Sequence, residues 1–132
     1  MKYLLDTNIV SYWMRGDPRV TQRLRAHSPA EMGLSAITLA EILYGIERSP
    51  VRQVERRARL QQIAAVLHLY PFDEEAAQHY AVVRAQLERR GCPMSERDTQ
   101  IAAIARAGRL TVVTHNVQEF RRVDGLAVVD WA

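Results

Sequence analysis

Five residues of this chain could hold a hard cation or handle a proton: Asp6, Glu41, Asp98, Asn116 and Glu119. Asp6 directly follows Tyr3–Leu5, which read as a short buried strand. The first strand of a parallel sheet is commonly central, and the working crevice of an open α/β sheet lies at the carboxyl ends of its strands. The same position suits a helix N-cap, and one aspartate can fill both roles. Glu41 lies on an expected helix with Ile37, Thr38, Tyr44 and Gly45 at i−4, i−3, i+3 and i+4, a largely apolar face. A carboxylate is rarely buried there without a cation or hydrogen-bond donors, so the plainer alternative, a charge at the margin of the stripe reaching water, is the weaker one. Asp98 closes Ser95-Glu96-Arg97-Asp98, which reads as a capping box in which its carboxyl returns to the Ser95 backbone. Asn116 and Glu119 follow a strand, where ordinary turn residues also occur. Each is weak alone, and the signal is their joint arrival at one edge.

If Asp6, Glu41 and Asp98 converge, repulsion decides what the cluster must do. Two carboxylates about 4 Å apart repel by about 4 kcal/mol at an effective dielectric of roughly 20, so such a set takes up protons or binds a cation. Oxygen ligands without cysteine or clustered histidine favour Mg²⁺ or Mn²⁺ over zinc. The metal would activate a water for in-line attack on a phosphodiester, which describes a hydrolytic nuclease. Other acidic-site chemistries lack parts. Lys2, the only lysine, precedes the first strand and cannot serve a phosphate-accepting receiver in the usual way, and without a glycine-lysine pair there is no P-loop. His27, His68, His79 and His115 show no metal-ligand spacing; His115 beside Asn116 fits an ordinary surface histidine better than a substrate contact.

These residues need elements to position them. Asp6–Arg15 reads as helical until Gly16 ends it, and Asp17-Pro18 as an N-cap and first-position proline of a second helix to about His27. Tyr12, Trp13 and Met14 are consecutive, and helix neighbours are turned by about 100°, so at least one is expected at the surface as a partner-groove candidate. Residues 31–36 read as a strand, with Ser35 capping the helix that carries Glu41. Ser49-Pro50 predicts the start of a longer helix to about His68. Tyr70–Phe72 is expected as a brief strand, and Asp73 caps a helix whose buried stripe is Tyr80, Val83 and Leu87 and which Gly91 ends. A helix from Ser95 to Gly108, a buried strand Leu110–Thr114, a polar turn and an edge strand Leu126–Trp131 complete the pattern. Alternating strands and helices imply a mainly parallel sheet with helices on both faces.

The 132 residues, 48% of them hydrophobic, suit one domain spanning residues 1–132 with a real core. No apolar run is long enough for a signal peptide or a membrane span, and Cys92, the single cysteine, reads as an inert helix-end residue; both suit a reducing cytoplasm. The net charge of +3 permits a polyanionic partner without requiring one. Nearly all positive charge is arginine, whose flat fork binds phosphate in bidentate fashion, although biased codon use explains it equally well. Arg15, Arg19 and Arg23, and then Arg52, Arg56 and Arg59, form stripes best read as solvated faces, with phosphate tracking as the second reading.

The chain resembles the PIN-domain ribonucleases, and within them the VapC-like toxins of bacterial toxin–antitoxin pairs. LLDTNIVSYW, SAITLAEILYGIERS, GCPMSERDTQIAAIA and LTVVTHNVQEFRRVDGLAVVDW carry the likeness over almost the whole length. It implies a three-layer α/β/α sandwich and Mg²⁺- or Mn²⁺-dependent endonucleolytic cleavage of RNA. The implied partner is a small VapB-like antitoxin that wraps the toxin and blocks its acidic pocket, with homodimers usual and higher toxin–antitoxin assemblies in view. Asp6, Glu41 and Asp98 match the family's metal-site acids, and Glu119 matches a nearby acid that would complete the charge or position water. Thr7 and Asn8 match the polar pair that orients the first aspartate. Two departures stand out. Ser95 replaces a frequent glycine, and Asn116 stands where many PIN domains carry a fourth aspartate, which implies one well-held metal and an amide that bonds a metal-bound water. A binding module without turnover, docking RNA or a helix through Tyr12–Met14, is the alternative that the full acidic set opposes. A DNA-flap substrate would want a threading insertion that the chain lacks.

Overall fold

The computed structural model describes residues 2–132. Five strands, β1 Tyr3–Leu5, β2 Met32–Ser35, β3 His68–Tyr70, β4 Thr111–Val113 and β5 Ala127–Val129, form one sheet in the order β3-β2-β1-β4-β5. Every pairing is parallel. The chain builds outward from β1 through β2 to β3, then returns to the other side of β1 for β4 and β5. The strand order therefore reverses between β1 and β4, which is where such sheets open a crevice.

Among the described residues seven α-helices cover the two faces: α1 Thr7–Met14, α2 Pro18–Arg25, α3 Ala36–Glu47, α4 Gln53–Val66, α5 Glu74–Arg89, α6 Glu96–Gly108 and α7 Val117–Phe120. The two-residue strand period assigns them. Leu5, Leu34 and Val113 face a core filled by Ile9 and Val10 of α1, Leu24 of α2, Ile46 of α3 and Leu60 and Ile63 of α4. Leu4 and Val112 point the other way, onto Val83 and Leu87 of α5, Ile101 and Ala105 of α6 and Phe120 of α7. The expected α/β/α sandwich forms.

The structure corrects several local expectations. Ser49-Pro50 does not start α4, which begins at Gln53 after Arg52 takes a left-handed φ of 50°. Arg56 is the reason: its guanidinium donates to the carbonyls of Gly45, Ile46, Ser49 and Val51 at 2.7–3.3 Å, so this stretch closes α3 instead of opening α4. α6, by contrast, ends at Gly108 as expected, and the residue after it, Arg109, takes the left-handed φ of 54°. Gly108 stays helical where a Cβ would stand 3.2 Å from Leu110 Cγ. None of Tyr12, Trp13 and Met14 is exposed; all three are half-buried against the first core because α1 is flanked by α2, α3 and α4. Tyr80 is likewise only half-buried in the α5 stripe.

The strand expected at Tyr70–Phe72 lies two residues earlier, since Pro71 offers no N–H to continue it. On β2 a Cβ at Gly33 would stand 2.4 Å from Tyr70 Cε2 and 2.6 Å from the His68 carbonyl oxygen, so β3 approaches only a glycine this closely. The last strand is shorter than expected, and the polar turn after β4 winds into α7. Among the described residues no helix is long and apolar enough to cross a membrane.

Candidate active site

Asp6 stands at the carboxyl end of β1 and caps α1, its Oδ1 accepting the Ile9 N–H at 3.0 Å. Both roles open to it in the sequence, crevice position and N-cap, are therefore filled. Its Oδ2 accepts the Thr114 hydroxyl at 2.5 Å. The β1–β4 register, Leu5 beside Val113, makes Asp6 and Thr114 neighbours, and the Asp6 N–H donates to the Val113 carbonyl at 3.0 Å. Asp6 is 3% exposed and takes part in none of the ion pairs among the described residues. Burial pushes its carboxyl up to about 6 against the pull of the Thr114 and Ile9 bonds, and the charge of Asp98 adds to the rise.

Glu41 reaches the same edge because Ser35, at the end of β2, caps α3 by accepting the Thr38 N–H at 3.0 Å. The Thr7 hydroxyl donates to Glu41 Oε1 at 2.8 Å, and Arg97 Nη1 lies 3.5 Å from Oε2. The carboxylate is held by two partners, not reaching free into water. Thr7 was expected to orient Asp6 and instead orients Glu41. Asn8 contributes to Asp6 through its backbone N–H alone.

Asp98 lies in the first turn of α6, where its N–H donates to the Ser95 hydroxyl at 3.2 Å. Only this half of the expected capping box forms. The carboxyl does not return to the Ser95 backbone, and Asp98 lines the cavity instead. Burial holds it above the usual carboxylate range; the charges of Glu119 and Glu41 push the same way, against a bond from Ser95.

Asp6, Glu41 and Asp98, with a fourth acid, Glu96, and with Thr7, Asn8, Ser95 and Arg97, line one open cavity of about 390 Å³. Among the described residues no three acidic, histidine or cysteine side chains already form a closed ligand cage. The acids line a space and do not yet encircle a point. Asn116 and Glu119 are not among the groups lining that space: the Asn116 amide donates to Glu119 Oε2, and Glu119 is close enough to Asp98 to raise its carboxyl. The donor set fits a hard divalent cation, being all oxygen and predominantly acidic, with Arg97 the one basic lining residue.

Two residues escaped the sequence reading. Thr114 orients Asp6, and its oxygen also accepts the Asn116 N–H at 2.9 Å; a hydroxyl one residue beyond the strand paired with β1 is the signal that could have found it. Arg97 was absorbed into the capping motif. Of the second arginine stripe, Arg56 is committed to backbone carbonyls, so it is neither a solvated charge nor a phosphate tracker. His115 pairs with Asp130 Oδ2 at 3.1 Å and lies exposed.

The PIN domain family profile matches residues 3–126. A Shigella flexneri protein named tRNA(fMet)-specific endonuclease VapC is 33% identical over 132 residues, covering 100% of this chain and 99% of its own. The VapBC complex from Salmonella typhimurium, solved bound to DNA, contains a chain that superposes with a TM-score of 0.92 at 33% identity, covering 100% of this chain and 99% of that one. VapBC2 from Rickettsia felis, bound to a promoter DNA fragment, gives a TM-score of 0.91 at 28% identity with both chains covered in full. With the acids of its motifs lining one cavity at the β1–β4 reversal, this chain belongs to the PIN-domain family, in its VapC branch.

Proposed function

We propose that this chain is a metal-dependent endoribonuclease and the toxin of a toxin–antitoxin pair, with Asp6, Glu41 and Asp98 as the carboxylates that hold Mg²⁺ or, in its place, Mn²⁺. The observation that carries the reading is the lining of one cavity by four acids, Asp6 from the end of β1, Glu41 from α3 and Glu96 and Asp98 from the first turn of α6, with one arginine to balance them. Bound there, the ion supplies Lewis acidity for hydrolysis of an RNA phosphodiester. The chain's own groups do the positioning. Thr114 and the Ile9 N–H fix both oxygens of Asp6, Thr7 turns Glu41, and Ser95 pins the turn that presents Asp98. Glu119 adds negative charge beside Asp98, and the Asn116 amide holds Glu119 in place. Asn116 thus acts through Glu119, a different task from bonding a metal-bound water.

The relatives named for tRNA(fMet) make transfer RNA the first substrate to test, and the VapBC complexes make a VapB-like antitoxin the partner. We place the protein in the cytoplasm, as a homodimer when free of antitoxin. The test incubates antitoxin-free protein with purified transfer RNA and with total RNA, in Mg²⁺ and in EDTA. Discrete internal cuts that need Mg²⁺ support the reading; intact RNA in both conditions, from folded protein, overturns it.

A further inference from the structure

On α3, Tyr44 lies one turn beyond Glu41, and Arg48, the C-cap of the helix, one turn beyond Tyr44, so the three share a face leading away from the acidic cavity. Tyr44 is 63% exposed, and every other tyrosine, phenylalanine and tryptophan among the described residues is buried or half-buried. The Arg48 guanidinium lies 5.8 Å over its ring, at the outer reach of a cation–π contact. A second cavity, of about 440 Å³, is lined by Tyr44, Arg48, Arg97, Gln100, Glu41 and Ile37 among others. It shares Glu41 and Arg97 with the acidic cavity, so the two are adjoining compartments with Arg97 on the wall between them. No side-chain hydrogen bond among the described residues involves Tyr44, Arg48 or Gln100, although nearby Arg56 and Arg57 are both engaged.

An exposed ring, a loosely stacked guanidinium, an uncommitted amide and a bridging arginine, all beside an acidic cleft, match what an unpaired nucleotide needs. Unpaired bases stack on aromatic faces and are read at their edges, while arginine takes the neighbouring phosphate. A base held in a duplex cannot present its face to Tyr44.

We propose that Tyr44, Arg48, Arg97 and Gln100 form a nucleotide subsite in which the unpaired base next to the scissile phosphate stacks on Tyr44. Arg97 spans the two compartments: it pairs with Glu41 in the free protein and turns its exposed fork to the phosphate when RNA enters. Gln100 meets the base edge, and Arg48 holds the phosphate on the far side. This assignment rests on the endoribonuclease reading and deepens it.

The test measures binding in an Asp98→Asn background, so that RNA is not cut, using a fluorescent mixed-sequence single-stranded RNA 12-mer and the same strand annealed to its complement. Adding Tyr44→Ala weakens single-strand binding by at least about 5-fold, the lower bound for stacking one base on a ring. Tyr44→Phe stays near the parent, and duplex binding is unchanged by either. Arg48→Ala lowers the slope of log affinity against log salt by about 1. Equal single-strand affinity in Tyr44→Ala and the parent, an equal loss on duplex, or an equal loss in Tyr44→Phe overturns the subsite. So does a change of oligomeric state in Tyr44→Ala, which would make this face a contact between copies. If the uncut parent sequence fails to cleave RNA in Mg²⁺ at all, the nuclease reading falls; if it cleaves and Tyr44→Ala cleaves equally well, only the subsite does.

Discussion

The hydroxyl of Thr114 donates to Oδ2 of Asp6 at 2.5 Å, joining residues 108 positions apart at the carboxyl ends of the two central strands. That bond favours the ionised carboxyl, which burial opposes. Thr114→Val therefore raises the Asp6 carboxyl further, moving the acidic limb of the pH–rate profile to higher pH and weakening Mg²⁺ affinity by about 10–100-fold, the usual cost of losing such a partner. Thr114→Ser restores both. A profile unchanged in Thr114→Val contradicts the role given to this bond.

Asp6 also sets how the metal-free fold responds to pH. Its carboxyl titrates at about 6 in the folded chain and 3.8 in the unfolded one, so between those values the folded state holds the extra proton. Stability is consequently lost as pH rises across that window, by about 3 kcal/mol. Asp6→Asn cannot ionise and removes the loss. Urea unfolding in EDTA should find the mutant gaining on the parent between about pH 4 and pH 7.5; a difference that does not vary with pH contradicts this.

Arg56 serves the fold. Its four carbonyl contacts close the end of α3, and leaving those acceptors bare costs about 1–3 kcal/mol. Arg56→Ala lowers unfolding free energy by that amount without changing the salt dependence of RNA binding. Arg56→Lys recovers little, because an ammonium cannot span the same carbonyls. A changed salt slope in a stably folded Arg56→Ala would return this arginine to phosphate contact.

Gly33 gives the corresponding test for the edge strand. Gly33→Ala sets a methyl against the Tyr70 ring and the fixed His68 carbonyl, and overpacking of this kind costs about 1–3 kcal/mol. Denaturant midpoints compare the two proteins directly. An unchanged midpoint means that β3 moves aside freely.

The sheet and most helix starts were legible because they rest on local rules. Ser35, Asp73 and Ser95 cap the helices expected of them, and Leu4 and Leu5 point to opposite cores as a two-residue period demands. The errors arose where distant groups overrule local preference. Ser49-Pro50 has the chemistry of a helix start, but Arg56 draws the Ser49 carbonyl back toward the end of α3. Asp98 has the spacing of a capping box, but its carboxyl faces the cavity. Thr7 turned to Glu41, and Thr114, of which nothing was expected, took its role on Asp6, because hydroxyl direction depends on strand register and helix orientation, which spacing along the chain does not encode.

Whether the carboxylates lining the cavity do the chemistry is tested most directly by cleavage of total RNA in Mg²⁺ by the parent and by Asp98→Asn side by side. Asparagine keeps the size, and the cap survives because Ser95 accepts from the backbone N–H at this position. If they do, the parent makes discrete cuts and the mutant cleaves at least about 100-fold more slowly, exceeding the loss expected for an outer partner. Equal cleavage by the two proteins would contradict that role and move the chemistry away from this cavity.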